Sequence, residues 1–265
     1  MTKKVTALKI LVALAFTGVI TVNYLANALP IGGVTTGEAS DNLGNLFTPA
    51  GLTFSIWGLI YLLLLGYTVY QFGTRQKLSA TDEDNSNSRI RQFFIINALA
   101  NMAWIFAWHY GIIWVSVLLM LVLLITLIKI ADIINNQSLT GKQKLFIRLP
   151  FSVYFGWITV ATIANVTALL VSVQWNGFGI SETIWTCVIL LIGLVIGILR
   201  MNKDWNTAYG LVFVWAYSGI LLKHLSTSGF DGNYPYIIGT VAICLVILLI
   251  NIGRILVKKR IAPSA

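Results

Sequence analysis

The sequence predicts an all-α polytopic membrane helix bundle of about eight transmembrane helices, and three observations carry that expectation. The chain is 57% hydrophobic and only 10% charged, where a soluble domain carries roughly a quarter charged. Its charges are confined to short segments between apolar runs, several of them long enough for the roughly 20 helical residues that a bilayer core requires. Those charged segments also alternate in Lys and Arg content, one loop rich and the next poor.

The runs can be taken in order. Residues 10–28, 50–72, 149–173 and 232–253 are long uncharged stretches, each with one span. From Gln92 to Ile128 there is no Asp, Glu, Lys or Arg, and His109-Tyr110-Gly111 divides this stretch into two helices. Residues 183–199 and 205–222 are shorter spans separated by Arg200, Lys203 and Asp204. Loops on the cytoplasmic side collect basic residues. With the N-terminus inside, 17 of the 18 Lys and Arg fall on inner segments, and Lys223 alone falls outside. A missed or invented helix would move every later loop to the wrong side. The expected location is the bacterial cytoplasmic membrane, with both termini cytoplasmic. Ala26-Asn27-Ala28 has the look of a signal-peptide cleavage site, but the apolar run from Ile10 to Leu25 is at or beyond the usual length for such a region.

Composition and motifs also exclude functions. The net charge is +9, yet the basic residues form no patch or stripe of the kind that holds nucleic acid. Cys187 and Cys244 lie inside apolar runs and read as small buried side chains. Gly141-Lys142-Gln143-Lys144 lacks the glycine spacing of a phosphate loop. No acidic residue lies in a span, which argues against proton coupling through a buried carboxylate but leaves a facilitator open. No Ser-His-Asp set, carboxylate pair or metal-ligand cluster is visible, so an enzyme is not the expected class and no cofactor is required. His109 and His224 sit at helix ends and read as satisfied interfacial histidines. The segment Pro30 to Thr48 has a turn-forming composition and suits a lid or a linker. The loop 73–92, with Thr81 to Ser88 strongly polar, reads as solvated and mobile.

Trp and Tyr normally form belts at the two interfaces, which suits Trp108, Tyr110, Trp114, Trp175 and Trp205. Others lie too deep. Trp157 is nine residues past Arg148, about 13 Å into the bilayer, Asn101 and Trp104 are about 15 and 20 Å past Arg91, and Trp215, ten residues past Trp205, is about 15 Å deep. Helical spacing groups these residues by face. Phe54, Trp57 and Tyr61 form one stripe, Asn97, Asn101, Trp104 and Trp108 a second, and Tyr154, Trp157, Ala161 and Asn165 a third. An amide facing lipid is costly, so the stripes should face the bundle interior. Two roles fit: amides tying helices together, or an aromatic pocket with a few polar groups for a flat, mostly apolar ligand.

Residues 1–173 resemble the TspO/MBR family, the tryptophan-rich sensory proteins related to the translocator protein. The motifs that carry the likeness are Phe47-Thr48-Pro49-Ala50-Gly51 with Phe54, Trp57 and Tyr61; Asn101 with Trp104; and Tyr154, Trp157, Ala161, Thr162 and Asn165 with Pro150 upstream. Phe47 and Ala50 replace the family's usual Trp and Pro, and one residue fewer separates Phe54 from Trp57. Family members have five helices; this chain adds three. The resemblance implies a five-helix module at 1–173 and a three-helix extension at 174–265. It also implies a pocket for porphyrins or other tetrapyrroles, in some members sterols, within helices 1–5 and covered by the loop 30–48. The residues expected to line it are Phe54, Trp57, Tyr61, Asn101, Trp104, Tyr154, Trp157 and Asn165. The expected function is a membrane sensor or receptor for such molecules, with a transporter or facilitator of a small hydrophobic metabolite as the alternative. The expected partners are that ligand and the lipid bilayer, with a homodimer as the candidate assembly and no nucleic acid.

Overall fold

The computed structural model describes residues 3–73 and 81–261. Its eight long helices are α1 (Lys3–Ala28), α2 (Ile56–Gly73), α3 (Thr81–His109), α4 (Ile113–Asn135), α5 (Leu149–Ser172), α6 (Glu182–Asp204), α7 (Thr207–Leu225) and α8 (Pro235–Ile261), and there is no strand among the described residues. Each overlaps a helical stretch long and apolar enough to cross a membrane. Large apolar side chains such as Leu14, Leu62, Leu99 and Ile250 stand exposed around the bundle, as expected of a surface solvated by lipid. The protein is an integral membrane protein of the all-helical class.

The helix ends follow local chemistry. Gly111 adopts a left-handed φ of +68°, which turns the chain tightly between α3 and α4 at little cost for a residue without Cβ. Pro150 closely follows a π-helical turn, Lys144–Arg148, that leads into α5, and such a turn and a proline are both features at which a helix departs from the regular hydrogen-bond ladder. Asn206 caps α7 by accepting from the Tyr209 N–H, and its amide also donates to Ser152 Oγ on α5 at 2.6 Å.

α3 packs along α1 and α4, α4 along α5, and α5 along α7; α8 closes the far side against α6 and α7. Gly156 lets α5 and α7 approach closely, because a Cβ there would meet the Tyr209 carbonyl and Val212 side chain at 2.9 Å. One hydrophobic core runs from Val12 and Phe16 through Trp157 to Phe213, Cys244 and Ile255. The first five helices and the last three therefore share their packing.

Polar groups inside the bundle are largely paired. Tyr217 Oη donates to the Leu190 carbonyl at 2.7 Å and Tyr209 Oη to Thr159 Oγ1 at 3.2 Å. At the end of the bundle where α1 begins, Arg200 of α6 contacts Asp132 of α4 at 2.8 Å and Asp204 at 2.6 Å. Arg148 joins this network through the Asp204 backbone carbonyl.

Two loop expectations need correction. The segment 30–48 is not irregular throughout: Thr36–Asp41 is a short helix held by a reciprocal capping box between Thr35 and Glu38. That pairing satisfies two N-terminal N–H groups at once. Residues 81–88 are helical, forming the start of α3. Residues 74–80 of the expected inner loop lie outside the described residues.

Candidate functional site

The helical turn Gly51–Ser55 leads into α2 and places Phe54, Trp57 and Tyr61 on the inner side of that helix. There they meet α3 and α5. Trp57 is the hub: its ring stacks on Tyr61 at 5.5 Å and contacts Trp104 at 6.5 Å, Tyr154 at 5.9 Å and Trp157 at 6.2 Å. Phe54 meets Trp157 edge-on at 5.9 Å. Three stripes inferred from spacing thus converge in one aromatic cluster.

The amides divide by role. Asn101 is fully buried; its Oδ1 accepts from Asn23 Nδ2 of α1 at 2.9 Å, and its Nδ2 donates to Tyr154 Oη at 3.4 Å. Asn165 accepts from Ser116 Oγ of α4 at 2.8 Å. Asn97 points elsewhere, donating to Thr126 Oγ1 and the Leu123 carbonyl of α4, so it is a helix tie and no part of the site.

The indole N–H groups of Trp104 and Trp157 and the Tyr61 hydroxyl are buried with no hydrogen-bond partner. Buried donors are nearly always paired, and leaving one unpaired costs about 1–3 kcal/mol. Three such donors meet in this one cluster.

Two cavities adjoin the cluster. One, of about 40 Å³, lies among Trp57, Trp104, Trp108, Trp157 and Asn165, with Phe47 and Pro49 of the first loop. The other, of about 270 Å³, lies among Asn23, Asn27, Thr36, Ser55 and Tyr61. Phe54 and Trp57 line both. The first alone holds little more than water; the two together reach the lower end of the roughly 300–1,000 Å³ usual for small-molecule sites.

The first loop is fastened over this region from two sides. At the end of α3, His109 Nδ1 donates to the Ile31 carbonyl at 2.8 Å, leaving Nε2 to accept from Thr36 Oγ1 at 3.1 Å, and Trp108 Nε1 donates to the Thr36 carbonyl at 3.3 Å. At the end of α7, His224 Nε2 donates to the Leu46 carbonyl at 2.9 Å and Lys223 pairs with Asp41. His109 is satisfied as expected, whereas His224 Nδ1 has no partner.

Trp108, assigned by sequence both to an interface belt and to the α3 stripe, is buried and stacks on Trp104 at 5.6 Å, so the stripe assignment holds and the belt assignment does not. Sequence reasoning missed other contributors. Asn23 was an isolated amide in the first apolar run and could have been flagged as the partner of Asn101. The pocket is also not confined to helices 1–5: Ala216 and Ile220 of α7 stand in its wall. No spacing argument reaches two small apolar residues that far along the chain. Trp215, deep by the same residue count, is 40% exposed on the bundle flank, with its N–H donated to the Thr53 carbonyl at 2.9 Å.

No curated protein and no solved structure matches the chain. A family model described as TSPO-like protein matches residues 9–254. That range passes residue 173, where the likeness in motifs ends, and takes in helices from α1 to α8. With nearly the whole chain matched and the motif residues gathered into one cluster, the chain belongs to the TSPO-like protein family.

Proposed function

We propose that this protein is a membrane receptor for a flat, mostly apolar molecule with acceptor groups on its edge, of which a porphyrin or other tetrapyrrole is the leading class. The observation that carries the reading is the aromatic cluster around Trp57 with three unpartnered donors, Tyr61 Oη, Trp104 Nε1 and Trp157 Nε1. Rings supply stacking surface for a planar body, and the two indoles can only donate, so the ligand's edge must accept. Asn101 and Tyr154 hold the cluster in place through bonds to α1 and to each other. Entry requires Phe54 or Trp57 to shift so that the two cavities merge beneath the loop 30–48. The cytoplasmic placement of both termini rests on the distribution of Lys and Arg and belongs to the same proposal.

Tryptophan-quenching titration of the purified full chain with protoporphyrin IX tests the reading, with a branched alkane of similar apolar area as control. Saturable quenching by the porphyrin alone is expected. Equal response to both would reduce the site to a nonspecific apolar surface.

A further inference from the structure

A third cavity, of about 380 Å³, lies where α5 ends and α6 begins, with residues 44–46 of the first loop on one side. That volume suits a small molecule. Its wall combines the indoles of Trp175 and Trp185, the aliphatic side chains of Leu170 and Ile189, and Glu182. The two indoles stand 5.1 Å apart at 56°, and Phe178 meets Trp175 edge-on at 5.3 Å. Trp185 Nε1 donates to the Gly177 carbonyl at 2.8 Å, which fixes the ring and consumes its donor. The connecting turn holds this arrangement through left-handed backbone at Gln174, Gly177, Phe178 and Gly179.

The electrostatics favour one sign. Glu182 is the only formally charged residue in the wall, and its carboxylate forms no ion pair among the described residues. The whole end of the bundle shares this bias. Its connections and helix ends carry Glu38, Asp41, Glu182 and Asp231 against Lys223, which is already paired with Asp41. Such a field draws cations toward the cavity mouth, and indole faces attract a desolvated cation most strongly of the aromatic side chains.

We propose that this cavity binds a lipophilic cation, a quaternary ammonium or hydrophobic amine, with its charge between the indoles and the Glu182 carboxylate and its apolar body against Leu170 and Ile189. The same chemistry could be presented by a free cation or by a choline headgroup. The proposal does not rest on the tetrapyrrole reading, because neither Glu182 nor Trp175 lines either cavity beside the aromatic cluster.

The test is calorimetric titration of the full chain in lipid nanodiscs with benzyltrimethylammonium and with neopentylbenzene, its neutral isostere. The cation is expected to bind about tenfold more tightly, and Glu182→Gln and Trp175→Ala each to weaken it about fivefold. Porphyrin quenching should stay unchanged in both variants. Should Trp175→Ala fold poorly, exposed Glu182→Gln still decides the matter. Discs of phosphatidylglycerol alone and with phosphatidylcholine separate the sources: weaker probe binding in the second assigns the site to a headgroup, equal binding to a free cation. Equal affinity for cation and isostere, or an affinity indifferent to Glu182→Gln, would overturn the proposal.

Discussion

The charged network around Arg200 and the aromatic cluster around Trp57 both concentrate polar groups inside one bundle, yet they are completed differently. Arg200 bonds Asp132 and Asp204 across α4 and α6 and lies 5.0 Å from the Phe155 ring of α5. Its charges are met by protein atoms, although Asp204 keeps one buried oxygen, Oδ1, without a partner. The cluster around Trp57 ties its amides internally but leaves Tyr61, Trp104 and Trp157 with unpartnered donors. A network whose opposite charges meet within the chain holds helices together. A cluster that keeps open donors beside cavities and under a fastened loop is the ground on which ligand binding is proposed.

Three perturbations break or sharpen this contrast. The largest effect belongs to Arg200→Ala. It strands Asp204, whose side chain is 3% exposed, and losing one partner of a buried pair costs about 3–5 kcal/mol. A thermal melt in detergent should fall clearly, while porphyrin affinity per folded molecule stays unchanged; a loss of affinity at unchanged stability would erase the distinction between the regions.

Gly219→Ala comes next. A Cβ there collides with the Thr53 side chain, and the Gly219 carbonyl accepts from the Ala50 N–H at 3.0 Å. Crowding of this kind costs about 1–3 kcal/mol. Because Thr53 adjoins Phe54, the variant should weaken ligand binding as well as stability. Unaltered affinity would mean that α6–α8 form a separate module whose approach to the pocket is incidental.

The smallest effect concerns the loop helix. The Glu38 carboxylate accepts from the Thr35 N–H at 2.7 Å, which holds its pKa below the usual carboxylate range. A lowered folded pKa means the contribution is complete above the ordinary carboxylate pKa and disappears as pH falls through the lowered value. Amide-exchange protection at Ala39 and Asn42 should therefore drop in acid, and Glu38→Ala should abolish that dependence. Protection that ignores both changes would show that the loop is held by His109, Trp108, His224 and the Lys223–Asp41 pair without help from the capping box.

Much of this was legible before any coordinates. Charge placement located eight spans because unpaired charges are excluded from the bilayer core. Four- and three-residue spacing brought Trp57, Trp104, Tyr154 and Trp157 together because a helix presents one face every turn. What escaped had no periodic signal. The capping box at Thr35 and Glu38 looked like loop composition, since a six-residue helix spans too few turns to show a stripe. Ala216 and Ile220 reach the cavity only through the packing of α7 on α5, where Gly156 admits the backbone of Tyr209. Trp215 reads as deep by residue count, but depth does not fix which way a side chain turns.

Trp157 tests the central claim most directly. It lies at the meeting of Phe54 and Trp57, is buried, lines the aromatic cavity and keeps an unpartnered N–H. Quenching titrations with protoporphyrin IX should be run on Trp157→Phe and Trp157→Ala, each checked by thermal melt. A ligand stacked there loses about 1 kcal/mol or more with alanine, roughly a fivefold weakening. Phenylalanine should fall between, retaining ring surface without the donor. Unchanged affinity in a folded Trp157→Ala protein, with only the melting temperature lowered, would make this ring packing and contradict the account.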